Sequence, residues 1–220
     1  MKPWILAVDA THQQGSLALC RGGELLEEVA IDAPTGFAHV IYGQLAALLE
    51  RHGVAVGQIA CFAAATGPGS FTGVRVGLAC VKGLAEALAK PAVGVSNLRA
   101  VASFGSAEWR AAVLDARRGE IYGAVYDRSG RLVAAEVASP FPAWLATLPS
   151  GDLEFVCLNY RPELSGTRFE TAAVTQAPRA LAAAVARLAL DCYLRGEARD
   201  PAALDANYVR RSDAELLWKE

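Results

Sequence analysis

The residues best suited to hold an anion lie in one run, Thr66-Gly67-Pro68-Gly69-Ser70-Phe71-Thr72-Gly73, between a strand-like and a helix-like segment. Gly67 and Gly69 allow dihedrals closed to other residues and let the backbone approach a ligand closely. Ser70 or Thr72 can cap the following helix, whose first amides and dipole favour a negative charge by about 0.3–1 kcal/mol per interaction. A P-loop fails for want of a lysine after Gly73, and a dinucleotide fingerprint fails because the third glycine falls one residue late. Two readings stay open: a tight turn whose glycines serve packing only, or a turn that also meets a phosphate or a partner. Asp9 and Thr11, where the first apolar segment ends, complete the candidate set with Gly67, Gly69, Ser70, Thr72 and Gly73. Asp9 either holds a magnesium-bound water or is simply the polar end of a central strand.

Little else in the chain has catalytic spacing. His12, His39 and His52 stand far apart, with no HxxH, HExxH or paired carboxylate beside them, so no metal site is expected. Cys20, Cys61, Cys80, Cys157 and Cys192 are scattered and never form CxxC, the usage of a reducing compartment in which thiols act as small core hydrophobes. A net charge of −2 argues against strong nucleic-acid binding by the chain alone, so an RNA role must be shared with another protein. No signal-peptide pattern opens the sequence and no apolar run is long enough for a bilayer, so a cytoplasmic protein without a membrane partner is expected. With 53% hydrophobic and 20% charged residues, a well-buried core is expected.

The elements that must position these residues repeat. Trp4 to Asp9 is an apolar strand, Ser16 to Cys20 alternates, Gly22-Gly23 turns, and Glu24 to Ile31 runs back. Ile41, Leu45, Leu48 and Leu49 mark an amphipathic helix stopped by Gly53; Ile59 to Thr66 reads as a buried strand and Thr72 to Ala89 as a helix. The second half follows suit with strands at Ala111 to Asp115, Ile121 to Tyr126 and Arg131 to Ala138, a short helix over Phe141 to Leu148 and a strand at Leu153 to Leu158. A closing helix begins at Pro178, with Leu181, Val185, Leu188 and Cys192 on one face, and stops at Gly196. Asp9 precedes Ser70 by 61 residues and Asp115 precedes Pro178 by 63, which pairs the closing helix with the helix after the glycine-rich run. The expected fold is α/β: duplicated βββαβα lobes, 1–104 and 105–220, of the actin/Hsp70/sugar-kinase (ASKHA) superfamily. A fold does not give a function.

The helix after the run is nearly apolar, with Arg75, Lys82 and Glu86 forming one narrow polar stripe. Its small residues would let another helix approach. Val74, Arg75, Gly77, Leu78, Val81, Lys82 and Ala85 are therefore candidates for a partner interface, against burial by the chain's own elements.

The string from Gly67 through Ser70, Gly73 and Lys82 to Ala85 resembles, almost position for position, the GPGSFTG-[LV]-R-[IV]-G-L-A-x-x-K-G-L-A stretch of the TsaB (YeaZ-like) family. Ile5 to Leu19, Val93 to Leu98, Asp115-Ala-Arg-Arg-Gly-Glu-Ile-Tyr122 and Tyr208-Val-Arg-Arg-Ser-Asp-Ala-Glu215 are similar to further family landmarks, and 153–175 is the least similar part. The resemblance brings in a larger, metal- and nucleotide-binding catalytic paralogue of the TsaD type. Asn97 and Val101 stand at the positions of that paralogue's HxxxH ligands; valine has no donor atom and an amide is a poor substitute for imidazole.

The resemblance implies a non-catalytic partner subunit of the complex that makes threonylcarbamoyladenosine beside the anticodon of tRNAs reading codons that begin with A. It implies pairing with the TsaD-type paralogue through the 74–89 helix and its neighbour, recruitment of a small TsaE-type ATPase, and contact with tRNA through the complex. No cofactor is required, ATP or ADP at a subunit boundary is compatible, and the isolated chain can self-associate as a homodimer. The rivals are a stand-alone kinase-fold ATPase or phosphotransferase using Asp9 and the glycine-rich loop and, more weakly, a glycoprotease-like peptidase, for which no constellation activates a water or a nucleophile.

Overall fold

The structure is a computed structural model that describes residues 2–34 and 36–210. The chain forms two compact units, residues 1–97 with 180–207 and residues 98–179 with 208–220.

In the first unit, β1 (Trp4–Asp9), β2 (Gln14–Arg21) and β3 (Glu24–Asp32) form an antiparallel meander. Helix α1 (Ile41–Arg51) leads to β4 (Ile59–Ala65), which pairs parallel with β1. Helix α2 (Phe71–Ala87) crosses to β5 (Ala92–Val95), parallel to β4, and α3 (Asn97–Ala102) follows. The sheet order is β3-β2-β1-β4-β5. Leu6, Val8, Leu17 and Phe62 meet Leu45, Leu48, Leu78 and Val81 of α1 and α2 in one core.

In the second unit, β6 (Trp109–Arg117), β7 (Glu120–Asp127) and β8 (Leu132–Pro140) again form a meander. Helix α4 (Phe141–Thr147), β9 (Leu153–Leu158) and β10 (Val174–Gln176) complete a sheet of order β10-β9-β6-β7-β8. Phe141, Trp144, Phe155 and Phe169 gather over Val113, Ile121 and Val125.

Helix α5 (Ala182–Leu194) returns to the first sheet. The amides of Leu181 and Ala182 donate to Ser16 Oγ at 3.2 and 2.9 Å, and the amide of Ala183 donates to Glu28 Oε1 at 2.8 Å. Leu17 and Leu19 pack towards α1 and α2, so Ser16 lies on the opposite face of its strand. Covered on both faces, β1 carries no polar residue before Asp9, as a central strand requires.

Two expectations are corrected. The 1–104 and 105–220 division fails because the chain passes to the second unit after Asn97 and comes back at Ala180. The closing helix is likewise not the counterpart of α2. It follows β10, and between β9 and β10, where α2 would stand, the chain runs through residues 159–173 without a helix. A helix's apolar stripe reports that a face is buried and not which sheet buries it. The short β5 and β10 were not read as strands, since four and three residues show no period. Arg211 to Glu215 of the last landmark lie outside the described residues.

Candidate functional site

Six of the seven loop-site candidates come together where β1 and β4 end. Asp9 is buried, and its Oδ1 accepts from the Thr11 amide at 2.9 Å and the Thr11 hydroxyl at 2.6 Å. Thr11 Oγ1 in turn accepts from Asn97 Nδ2 at 2.5 Å and lies 2.9 Å from His12 Nδ1. Asn97 Oδ1 accepts from the Gly67 amide at 2.9 Å, and the Asn97 amide donates back to the Gly67 carbonyl at 2.8 Å. Asn207 closes the same strand end, its amide donating to the Thr66 carbonyl at 2.8 Å.

The loop folds onto this network and leaves it little room. The Ser70 amide donates to the Thr11 carbonyl at 2.7 Å, while Ser70 Oγ caps α2 by accepting from the Gly73 amide at 3.3 Å. A Cβ on Gly69 would lie 2.5 Å from the Thr11 carbonyl oxygen, and one on Gly73 would collide with the Ala10 carbonyl oxygen. The glycines are thus required by the approach of α2 to the β1–β2 connection. Thr72, the seventh candidate, is exposed on the first turn of α2.

The amides of Ser70 and Gly73 are both engaged inside the unit. Asp9 Oδ2 is the exception: it is buried and has no hydrogen-bond partner among the described residues. Burial, opposed by the charge of Asp9, holds the His12 imidazole below its ordinary value.

The interface candidates divide by burial. Val74, Gly77, Leu78, Val81 and Ala85 face the first unit's own core, with Gly77 against Ala10 and Val8, so as a partner surface they are corrected to core. Arg75 is exposed, with its guanidinium 3.7 Å from the Phe71 ring centre, and Lys82 Nζ donates to the carbonyls of Ala202 and Leu204 at 3.2 and 2.9 Å. The outward side of α2 is Phe71, Thr72, Arg75, Ala79, Gly83 and Glu86, flanked by the exposed Tyr42 of α1, which reaches Cys80.

Among the described residues no cluster of His, Cys, Asp or Glu could hold a metal ion, and no helix is long and apolar enough to cross a membrane. His52 Nε2 lies 2.8 Å from Glu27 on the surface. All five cysteines are buried and free, and burial pushes the thiols of Cys61 and Cys157 up to about 12 and those of Cys20 and Cys80 to about 11. None of these four is a thiolate nucleophile.

Asn97 is the residue for which sequence reasoning found only half of the role. It marked a missing metal ligand, whereas in the fold it joins Thr11 to Gly67. Asn207 carried no signal at all, because only tertiary contact brings it to Thr66.

Two five-stranded sheets of matching order, each begun by a three-stranded meander and extended by parallel strands, define an α/β protein of the actin/Hsp70/sugar-kinase type. Residues 32–155 match the family model TsaD, tRNA N6-adenosine threonylcarbamoyltransferase. The chain belongs to this family, and within it to the TsaB (YeaZ) group. It is 34% identical over 131 residues to the tRNA threonylcarbamoyladenosine biosynthesis protein TsaB of Escherichia coli, a match spanning 56% of this chain and 55% of that protein. Against the Bacillus subtilis protein of the same name it is 27% identical over 224 residues, 98% of each chain. The solved structure of YeaZ from Pseudomonas aeruginosa superposes with a TM-score of 0.77 at 26% identity, covering 94% of this chain and 99% of that one.

Proposed function

We propose that this chain takes part in making threonylcarbamoyladenosine on tRNA as a non-catalytic partner subunit, and that the modified tRNAs are those reading codons that begin with A. The observation that carries this reading is Asn97 with Val101. Where the catalytic paralogue has two histidines, this chain has an amide engaged with Thr11 and Gly67 and a fully buried valine. An amide and a valine make a poor pair of metal ligands, so on this reading the transfer falls to a TsaD-type partner. The outward side of α2 with Tyr42 is the docking face for that partner, and a small TsaE-type ATPase joins the pair. The chain requires no cofactor of its own; ATP or ADP meets it only at a subunit boundary, and in isolation the same face pairs two copies. The cytoplasm, where tRNA is modified, is its compartment.

Co-purification with the TsaD-type paralogue tests the reading. Ala79→Arg with Tyr42→Asp, both at exposed positions, should abolish pairing and leave thermal melting unchanged. Pairing at wild-type affinity would overturn the docking face. The partner-free Asp9 Oδ2 favours a second reading, a kinase-fold ATPase. Titration of the isolated chain with Mg-ATP decides it, since micromolar affinity with turnover would replace the scaffold reading.

A further inference from the structure

Two stretches with distinctive sequence, Asp115–Tyr122 and the described start of Tyr208–Glu215, take no part in the loop site. The second unit brings them together. Strands β6 and β7 are joined by Arg118 and Gly119, with φ of 56° and 77°, the pair of positive values that makes a type I′ turn. Just before it, Arg117 has φ 62° where the β6–β7 register shifts. Asparagine and glycine suit such positions; each arginine there costs about 1–2 kcal/mol. Strain of this kind gathers at functional sites.

Arg210 braces the hairpin from the other stretch. Its Nη1 donates to the Ala116 carbonyl at 3.0 Å and to Glu120 Oε2 at 2.9 Å, and its guanidinium lies 5.8 Å from the Tyr122 ring centre. Beside it opens a groove of about 640 Å³ lined by Arg118, Glu120, Ala138, Pro140 and Arg210. Among the described lining residues the one carboxylate, Glu120, is paired with Arg210. Arg117 and Arg118 are exposed at the tip.

We infer that the arginine-tipped β6–β7 hairpin and its groove form a contact site for phosphates of the tRNA backbone. This rests on the tRNA-modification reading above. A guanidinium matches a phosphate's two oxygens through paired N–H donors, which suits a backbone contact better than a point charge does. The composition fits a shared role: the net charge is −2, and a local pair of arginines adds one or two phosphate contacts to those of a partner.

The test binds unmodified tRNA to the full chain at 50 and 200 mM salt, by fluorescence anisotropy. In Arg117→Asn/Arg118→Asn both side chains suit left-handed backbone, so the variant should melt at or above the wild-type temperature while losing the charges. It should bind about fivefold more weakly at 50 mM, and its slope of log affinity against log salt should be shallower by about 1–2. Arg117→Lys/Arg118→Lys should keep most of the slope. Unchanged affinity and slope in the asparagine variant, or no tRNA binding by the wild-type chain at 50 mM salt, would overturn the inference. Mg-ATP is the second arm. If it displaces tRNA and its own binding falls in the asparagine variant, the groove serves a free nucleotide and the RNA assignment is wrong. A threonylcarbamoyl-transfer assay with the paralogue separates the two layers. Wild-type chain that fails to raise product removes the functional reading, whereas full stimulation with unaltered tRNA binding by the variant removes only this inference.

Discussion

The two units begin with the same local chemistry and put it to different ends. In the first, Asp9 accepts the amide of Thr11, two residues on, at 2.9 Å; in the second, Asp115 accepts the amide of Arg117, also two residues on, at 2.7 Å. Asp9 is buried and Asp115 is exposed. The cause lies in the crossover after the fourth strand. In the first unit α2 and its glycine-rich loop come down on the β1–β2 connection, and Ser70, Gly69 and Gly73 seal it. In the second unit residues 159–173 form no helix over the matching hairpin, so its tip stays in solvent. One hairpin has become an internal joint and the other a surface. The repeated motif therefore keeps a local hydrogen bond while its environment differs.

Substitutions at paired positions should break or sharpen that contrast. Gly73→Ala forces a methyl against the Ala10 carbonyl and should destabilise the chain by about 3 kcal/mol in urea unfolding. Gly119→Ala meets no atom within 4 Å and should cost about 1 kcal/mol through its positive φ alone. Equal effects would show that the loop is not packed as described. Asn97→Ala strips the Gly67 amide and Thr11 hydroxyl of a buried partner and should cost about 2 kcal/mol. On the surface of the second unit, Asp115→Ala should cost less than about 1 kcal/mol.

The units should also differ in acid. His12 is held below its ordinary 6.5, chiefly by burial and against the pull of Asp9, so the unfolded chain binds its proton first. The stability tied to the neutral ring is complete above pH 6.5 and falls as the pH drops from there. Glu154 serves the second unit. Burial alone would raise its carboxyl, but the Thr175 hydroxyl at 2.5 Å and the amides of Ala107 and Ser106 at 3.0 and 2.5 Å hold it below 4.5. Its contribution is complete above pH 4.5 and is lost as the pH falls through the folded value. Urea midpoints measured from pH 7 to 3 should therefore decline in two stages. His12→Gln should flatten the first, and Glu154→Gln the second.

Much of the architecture was legible because long apolar segments report burial directly. Strands β1 and β9 run from Trp4 to Asp9 and from Leu153 to Leu158, the bounds expected from their composition. The loop's membership was legible too, since Ser70 caps α2 and the glycines stand where the backbone closes up. Its use was not. Whether an amide faces a ligand or the Thr11 carbonyl depends on the β1–β2 connection, far from Ser70 in sequence, and no local pattern encodes that. The same limit applies to Val74, Gly77, Leu78, Val81 and Ala85, because a helix apolar nearly all round does not say which face its own sheet covers.

By itself the sequence determined most of the strands and helices, the doubled meander and the cap at Ser70. These follow from side-chain volume, polarity and backbone freedom, which are local properties. Only the tertiary structure decided that α5 covers the first sheet, that Asn97 ties Thr11 to Gly67, and that Arg210 braces the Arg117–Arg118 hairpin. Each of those outcomes joins residues dozens of positions apart. Hydrogen bonds and packing select such pairings only once the chain has closed on itself.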